Sequence, residues 1–414
     1  MTTFSYIFLV TLALGTLLQL WLTVRQSRHV SQHRHHVPDA FAQHINLDDH
    51  RKAADYTLAK LMLERWDTAF GVVLLLVFTF GGGLQALNAV WAGLTTSGLW
   101  QGAGLILSVM LISSVLSLPM AIWGTFGVET QFGFNKSSPA QFAKDQGLEL
   151  VLSIAIGLPL ILLILSLMEG AGAMWWLWAW LSWMGFTLFF TWAFPIWIAP
   201  LFNKFKPLDE GDLRNRLEAL LTRCGFTSDG IFVMDGSKRS AHGNAYFTGF
   251  GKNKRIVFFD TLLDGLNDQQ VEAVLAHELG HFKRKHIQKR LVSMAAFSLA
   301  GLALLGWLAD QTWFYTGLGV SDQSPALALM LFMLMIPVFT VFFSPLMSLS
   351  SRKHEFEADA FAAEQTDPND LISGLVAMYR DNASSLTPDP WYSAFHDSHP
   401  PAPVRISHLQ SLQA

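Results

Sequence analysis

The sequence predicts an all-α integral membrane protein with seven transmembrane helices, and three observations lead to this prediction. Charged residues make up only 14% of the 414 residues and hydrophobic residues reach 51%, whereas a typical soluble domain carries about 25% charged residues. Long segments such as residues 68–128 hold no charge at all. The basic residues are confined to alternate connecting segments. Buried helices of a large soluble protein are the alternative, and uncharged runs of this length disfavour it.

The predicted spans follow from the length of each uncharged stretch. A helix needs about 20 apolar residues to cross a hydrocarbon core of about 30 Å. The stretches that meet this requirement are residues 4–24, 68–92, 99–123, 148–168, 174–202, 291–309 and 326–349. The segment from Gly93 to Gly98 predicts a hairpin between the second and third spans. No Lys or Arg precedes the first stretch, so it is predicted to be a retained span and not a cleaved signal peptide.

The distribution of basic residues predicts the orientation. All 28 Lys and Arg residues fall in the segments after the first, third, fifth and seventh spans, and cytoplasmic segments are the ones enriched in these residues. We therefore expect the N-terminus outside and the C-terminus in the cytoplasm. The chain then divides into residues 1–202 with five transmembrane helices and a His-rich cytoplasmic loop at 25–67, a cytoplasmic loop at 203–290, helices six and seven at 291–349, and a cytoplasmic tail at 350–414.

Net charge and cysteine content narrow the possible partners. The formal net charge of −4 does not favour a nucleic-acid partner. The single cysteine, Cys224, can form neither an intrachain disulfide nor a cysteine cage for a metal ion. Any metal site is therefore expected to use other ligands.

The loop at 203–290 contains the motif His277-Glu278-Leu279-Gly280-His281. A helix start precedes it, with Asn267 as N-cap and Gln270 able to reach back. Residues four apart share one face of a helix, so both imidazoles can point at one ion, and Zn²⁺ binds histidine nitrogen readily. Glu278 is then placed to take a proton from a water molecule and pass it to the leaving amine. The alternative is a surface helix that happens to carry two histidines.

A catalytic zinc site has three protein ligands, so a third is expected elsewhere in the chain. The candidate segment follows the seventh span, where Glu355 and Asp359 are four residues apart and share a helical face. This spacing suits one carboxylate as a ligand and the other as an outer group that holds an imidazole N–H. The alternative is a charged amphipathic helix on the membrane surface.

Further segments add to these two motifs, namely His242-Gly243-Asn244-Ala245-Tyr246-Phe247, Lys252-Asn253-Lys254-Arg255-Ile256-Val257 and Asp397-Ser398-His399-Pro400-Pro401. Together they resemble the integral-membrane zinc CAAX prenyl protease type 1 family, the sterile-24 type of metalloendopeptidase, and we expect a bacterial member. The resemblance implies seven tilted helices that form a barrel around a water-filled chamber. It also implies a cytoplasmic zinc metalloprotease region with a short β-hairpin or sheet.

The resemblance implies a role for each motif residue. The zinc ligands would be His277, His281 and Glu355, binding one Zn²⁺ per chain in a gluzincin-type site. The catalytic residues would be Glu278 as general base, Asp359 as the outer acid, and His399 and Arg405 lining the site. The substrate-binding strand would comprise Asn244, Ala245 and Tyr246, with the peptide held by main-chain hydrogen bonds. For His399 and Arg405 the alternatives are a helix-capping histidine and a solvated arginine.

The resulting hypothesis is a zinc-dependent membrane endopeptidase that removes the last three residues of prenylated Cys-a-a-X proteins. One alternative is a quality-control protease with the same chemistry that acts on non-prenylated membrane proteins. A remote alternative is a transporter or channel with structural zinc. Expected partners are a peptide or protein substrate and membrane lipid, the chain acting as a monomer. The tail Ser411-Leu412-Gln413-Ala414 resembles no endoplasmic-reticulum retrieval signal, so a bacterial inner membrane is predicted.

Overall fold

Residues 1–248 and 254–413, the part of the chain that the computed structural model describes, are mostly helical. The apolar stretches of the first half form α1 (Thr3–His33), α2 (Leu47–Phe78), α3 (Gly83–Leu94), α4 (Gly98–Ile122), α5 (Pro139–Gly170), α6 (Trp175–Ala193) and α7 (Ala199–Phe202). Those of the second half form α11 (His286–Leu308), α13 (Pro325–Thr340) and α14 (Ser344–Gln365). Within the described residues, six helical segments are long and apolar enough to cross a membrane, or seven when the bent pair α2 and α3 counts as one span. The predicted membrane fold is confirmed on that count.

The outer surface of these helices is apolar. Leu17, Val292 and Phe297 are 63%, 69% and 67% exposed, although residues of this kind are usually buried in a soluble protein. Extended exposed apolar surfaces mark a membrane or another partner. The outward faces of the long helices therefore lie against lipid.

The second predicted span, residues 68–92, is not a straight helix. α2 and α3 are bent by 51° at the break that follows Phe78, and Gly82 has a φ of 77°, which disfavours any side chain. The glycine triplet at 81–83 was expected to let neighbouring helices pack closely. In the structure it forms the bend itself.

The polar segment at residues 25–67 is largely helical and not a loop. α1 continues as far as His33 and α2 begins at Leu47, with one 3₁₀ turn at Asp39–Phe41 between them. The chain has no glycine or proline between Gly15 and Pro38, so nothing in the sequence stops α1 where the apolar residues end. Both long helices therefore project beyond the membrane.

The polar part of the chain carries a small mixed sheet. Its elements are β1 (Phe205–Pro207), α8 (Asp212–Arg223), β2 (Ile231–Met234), β3 (Ala245–Thr248), β4 (Arg255–Phe259), α9 (Asp260–Gly265) and α10 (Asp268–Lys283). The strand order is β1-β2-β4-β3, with β2 and β4 parallel and the two outer strands antiparallel to their neighbours. β3 is thus an edge strand, which confirms the predicted short sheet and leaves one side of this strand open to another chain.

The remaining helices are α12 (Thr312–Gly317), α15 (Pro368–Asp381), α16 (Pro390–His396) and α17 (Ala402–Ser411). α10 packs along α14 and α15, and α17 packs on α15. Leu217, Phe258 and Leu275 are fully buried in the core that these elements share with the sheet. The predicted division into four segments stays a prediction; its boundary between residues 349 and 350 falls inside α14.

A cavity of about 1040 Å³ lies between the membrane helices and this polar part. Its wall includes the polar residues Lys60 and Glu64 of α2, Glu129 at the end of the α4 segment, and Tyr392 of α16. His399 lies on the same wall. The implied chamber thus has a counterpart here, with a polar lining behind an apolar outer surface.

Candidate metal centre

α10 is fixed at its start and along one face. Asn267 caps the helix by accepting from the Gln270 amide at 3.0 Å, and the Gln270 side chain accepts from the Asn267 N–H. Val271 and Leu275 of the apolar face are buried in the core. Anchoring both the N-terminus and this face fixes the direction in which the motif histidines point.

The glycine of the motif brings the two ligand-bearing helices together. A Cβ on Gly280 would lie 2.8 Å from the Cα of Ala358, so α10 and α14 are in backbone contact at this point. The contact places Glu355, less than one turn before Ala358, opposite the two histidines. Any larger residue at 280 would push the ligands apart.

The three predicted ligands converge on one point. His277 Nε2 lies 3.2 Å from His281 Nε2 and 3.5 Å from Glu355 Oε2, and His281 Nε2 lies 3.3 Å from Glu355 Oε1. Among the described residues these three form the one group of ligand atoms that all lie within 4.8 Å of one another. Zinc bonds of about 2.0–2.1 Å in a tetrahedron separate neighbouring ligand atoms by about 3.3 Å, which these distances match.

A further observation shows that a cation fits this centre. Glu355 Oε2 is buried and has no hydrogen-bond partner among the described residues, a costly state for a carboxylate oxygen. A bound cation would satisfy it. Two imidazoles and one carboxylate are a known ligand set of catalytic zinc. Zinc is therefore held by His277, His281 and Glu355.

Each ligand histidine is supported on the side that faces away from the centre. His277 Nδ1 lies 2.8 Å from Asp359 Oδ1, and Asp359 is fully buried. Arg405 donates from Nε to Asp359 Oδ2 at 2.9 Å. His281 Nδ1 instead faces His286, at 3.0 Å from its Nδ1.

The electrostatics favour positive charge at the ligands. Burial alone would lower the pKa of His277, but its bonds to Asp359 and Glu355 outweigh burial and raise the pKa to about 9. The same two carboxylates that favour an imidazolium attract a metal cation. Burial is the main cause that raises the pKa of the Glu278 carboxyl, against the opposite influence of both motif histidines.

The structure brings His399 and Arg405 to the centre in different ways. His399 Nε2 lies 3.4 Å from Glu355 Oε1, and its side chain is 61% exposed on the cavity wall. Arg405 is 5% exposed and contacts Asp359, Glu355 and the outer nitrogen of His277. The alternative of a solvated arginine is therefore wrong. Arg405 lies behind the ligands, whereas His399 faces the cavity.

The predicted substrate strand is the edge strand β3. Phe259 N–H donates to Asn244 C=O at 3.0 Å, and Tyr246 pairs with Val257. Because an antiparallel ladder alternates, the main-chain groups of Ala245 face the free edge and those of Tyr246 face β4. Lys252 and Asn253 of the matching run lie outside the described residues.

Sequence reasoning missed the residues that hold the start of this strand. Asn382 accepts from the Gly243 N–H at 3.0 Å and donates to the Gly243 C=O at 3.2 Å. His242 lies 3.2 Å from Glu129 Oε2, and Tyr56 donates to the same carboxylate at 2.5 Å. The partners come from α2, from the end of α4 and from the residue after α15, so no local pattern could have revealed them.

Comparisons with known proteins cover nearly the whole chain. The family described as CAAX prenyl protease N-terminal, five membrane helices, matches residues 26–204, and peptidase family M48 matches residues 207–413. The CAAX prenyl protease 1 homolog of Oryza sativa subsp. japonica is 36% identical over 74% of this chain and 72% of its own length. The CAAX prenyl protease 1 homolog of Homo sapiens is 30% identical over 95% and 93% of the two chains. The crystal structure of S. mikatae Ste24p is similar with a TM-score of 0.92 and 29% identity, covering 99% of both chains.

Proposed function

The chain is a zinc metallopeptidase of the CAAX prenyl protease 1 family, within peptidase family M48, and we propose that it removes the last three residues of prenylated Cys-a-a-X proteins. One observation carries the proposal: His277, His281 and Glu355 converge on one point beside Glu278. A cavity large enough for a peptide opens next to this group at His399. Relatives from plants, animals and yeast bear the name CAAX prenyl protease 1.

Glu278 is the general base of the proposed reaction. Zinc, when bound, polarises the scissile carbonyl and makes a water molecule a better nucleophile. Glu278 follows His277 directly on α10, and burial raises the pKa of its carboxyl. A raised pKa brings this group closer to neutral pH, where it can both accept and return a proton. It takes the proton of the attacking water and gives it to the nitrogen of the leaving amine as the C–N bond breaks.

His399 and Arg405 have different roles in this proposal. Because His399 faces the cavity, we assign it the donation of an N–H to the carbonyl oxygen as negative charge develops there. Burial lowers the pKa of His399, and a neutral imidazole still has one N–H to donate. Arg405 holds Asp359, which in turn holds the Nδ1–H of His277. We therefore assign Arg405 and Asp359 to the positioning of a ligand.

The substrate is proposed to lie along the free edge of β3. An extended peptide adds to an open edge strand by main-chain hydrogen bonds, which fix its backbone without demanding a particular sequence. Asn244 and Ala245 begin this edge, and Tyr246 anchors it to β4. Ligands, strand and cavity all come from one chain, so we propose a monomeric enzyme.

The charge pattern supports a site on the cytoplasmic side of the membrane, since all 28 basic residues fall in segments assigned to that side. The compartment is a separate question. The relatives named above are eukaryotic, so they lend no support to a bacterial inner membrane. Nothing in the charge pattern favours a nucleic-acid partner.

Cleavage of non-prenylated membrane proteins is a second candidate. The cavity wall carries the ionisable residues Lys60, Glu64 and Asp67, which suit a hydrated polypeptide better than a prenyl chain. A transporter with structural zinc has no comparable support, because the chain is a metallopeptidase.

A comparison of substrates tests the proposal. The purified full-length protein in detergent is given a farnesylated Cys-a-a-X peptide, the same peptide without the farnesyl group, and an unfolded membrane protein. We expect release of the last three residues from the farnesylated peptide, its loss after treatment with a chelator, and its return when zinc is added. Cleavage of only the unfolded membrane protein would favour the second candidate, and cleavage that the chelator does not affect would exclude a zinc peptidase.

A further inference from the structure

The outer nitrogen of the second ligand histidine begins a chain of hydrogen bonds that leads away from the metal centre. The Nε2 atom of His281 faces the other ligands, and its Nδ1 atom lies 3.0 Å from Nδ1 of His286. His286 is 5% exposed, and its Nε2 atom lies 2.9 Å from Glu357 Oε2. Two contacts therefore connect the ligand to a carboxylate through a buried imidazole.

The protons of this chain can be placed in one consistent way. A zinc-bound imidazole coordinates through a nitrogen that carries no proton, so His281 keeps its proton on Nδ1. That N–H donates to Nδ1 of His286, which must therefore be unprotonated. The proton of His286 is then on Nε2, where it donates to Glu357. Each donor meets an acceptor, whereas the opposite tautomer of His286 would set two N–H groups against each other.

We propose that His286 is a positioning residue for His281, and that Glu357 fixes the tautomer of His286. The inference rests on the role of His281 as a zinc ligand. A hydrogen-bonded partner orients a ligand histidine and raises its basicity, and its loss typically weakens metal binding 10- to 100-fold. His277 has its carboxylate, Asp359, in direct contact. For His281 an imidazole stands between the ligand and the carboxylate.

The backbone shows why this residue escapes a helical pattern. His286 is five residues after His281, so the two would not share a face of one continuous helix. α10 ends at Lys283, and Lys285 then has a φ of 59°, an unusual conformation for a residue with a side chain. This turn sends the chain back so that α11 begins with His286 against His281. A strained turn kept beside a ligand is consistent with a positioning role.

The groups around the carboxylate agree with this assignment. Glu357 lies on α14 with Lys289 Nζ at 3.7 Å and Lys353 Nζ at 4.0 Å from its oxygens. Two lysines favour the ionised carboxylate, which is the form that accepts from His286. His354 stacks on the His286 ring with centroids 4.1 Å apart. It packs on the relay without belonging to it and so provides a matched control.

Zinc affinity of the full-length protein in detergent tests the proposal, measured by competition with a chelator of known affinity. His286→Leu removes the acceptor and should raise the zinc Kd 10- to 100-fold. In His286→Asn the side-chain oxygen takes the place of Nδ1, so this variant should stay within about fivefold of wild type. His354→Leu removes the stacked ring alone and should stay within about threefold. In the cobalt-substituted protein, the visible spectrum should change in His286→Leu and not in His354→Leu.

Wild-type affinity in His286→Leu would overturn the proposal, as would equal losses in His286→Asn and His286→Leu, or a loss in His354→Leu as large as that in His286→Leu. If His286→Leu does not fold, as judged by circular dichroism and gel filtration, Glu357→Leu carries the test with an expected three- to tenfold rise in Kd and is overturned by no rise. These readouts do not depend on cleavage. A wild-type protein that binds zinc but cleaves no Cys-a-a-X peptide would end the proposed function and leave the role of His286 standing.

Discussion

The membrane wall, formed by α1 to α6, α11 and α13, and the zinc unit, formed by α10, α14, α15 and α17, place their side chains in opposite ways. In the wall, Phe297 is 67% exposed on the outside while Lys60 lines the inner cavity. In the zinc unit, Leu275 is fully buried. The difference shows that apolar faces turn to whichever apolar medium adjoins them, lipid for the wall and the protein core for the zinc unit.

Buried charge has a clearer meaning in the zinc unit than in the wall. Asp359 and Arg405 are 0% and 5% exposed, and burying ions is costly unless they are paired and hydrogen-bonded. The pair lies directly behind the ligand His277. Its retention there is explained by the metal centre, and three changes test the contrast between the two regions.

Breaking the buried ion pair should have the largest effect on stability. Arg405→Met leaves the Asp359 carboxylate without its cation and should lower the free energy of unfolding by about 3–5 kcal/mol. Arg405→Lys should restore only part of it, because an ammonium cannot reproduce the two bonds of the guanidinium. Denaturant unfolding in detergent measures both. If Arg405→Met were as stable as wild type, the pair would not hold the zinc unit together.

Truncating a buried residue of the zinc unit should have an intermediate effect. Leu275→Ala opens a cavity under the sheet and should cost about 2–5 kcal/mol in the free energy of unfolding. The measurement is the same unfolding experiment. A loss below about 1 kcal/mol would mean that the core can collapse around the gap and that the ligands do not depend on this face of α10.

The matched truncation on the membrane wall should have the smallest effect. Phe297→Ala removes a larger side chain than Leu275→Ala does, but from a surface that faces lipid or detergent in the folded protein. Exposed positions usually change stability by less than about 0.5 kcal/mol. A loss as large as that of Leu275→Ala would show that Phe297 packs against protein, and the contrast between wall and zinc unit would fail there.

The parts of the fold that the sequence predicted are those governed by local rules. The membrane spans were predictable because a charge in lipid is costly wherever it occurs. His277 and His281 were predictable because residues four apart share a helical face. Glu355 could be proposed from spacing, but its assignment as a ligand came from resemblance, since nothing local shows that α14 lies against α10.

The remainder depends on contacts between distant segments. The bend after Phe78 depends on a left-handed Gly82, and the sequence motif alone read equally well as a packing site. The role of Gly280 appears only when Ala358 lies 2.8 Å from its added Cβ. The hydrogen bonds of Asn382 to Gly243 cross from the end of α15 to the start of β3. No periodicity records such pairings.

The central claim is that Glu278 performs the chemistry while His277, His281 and Glu355 hold the metal. Glu278→Gln keeps the size of the side chain and removes its basicity. The direct test measures, on the same purified sample, zinc content and the rate of release of the last three residues from a farnesylated Cys-a-a-X peptide. The account predicts one zinc per chain as in wild type, with kcat lower by about 10²- to 10⁴-fold. Cleavage within about tenfold of wild type, or zinc lost in proportion to activity, would contradict it.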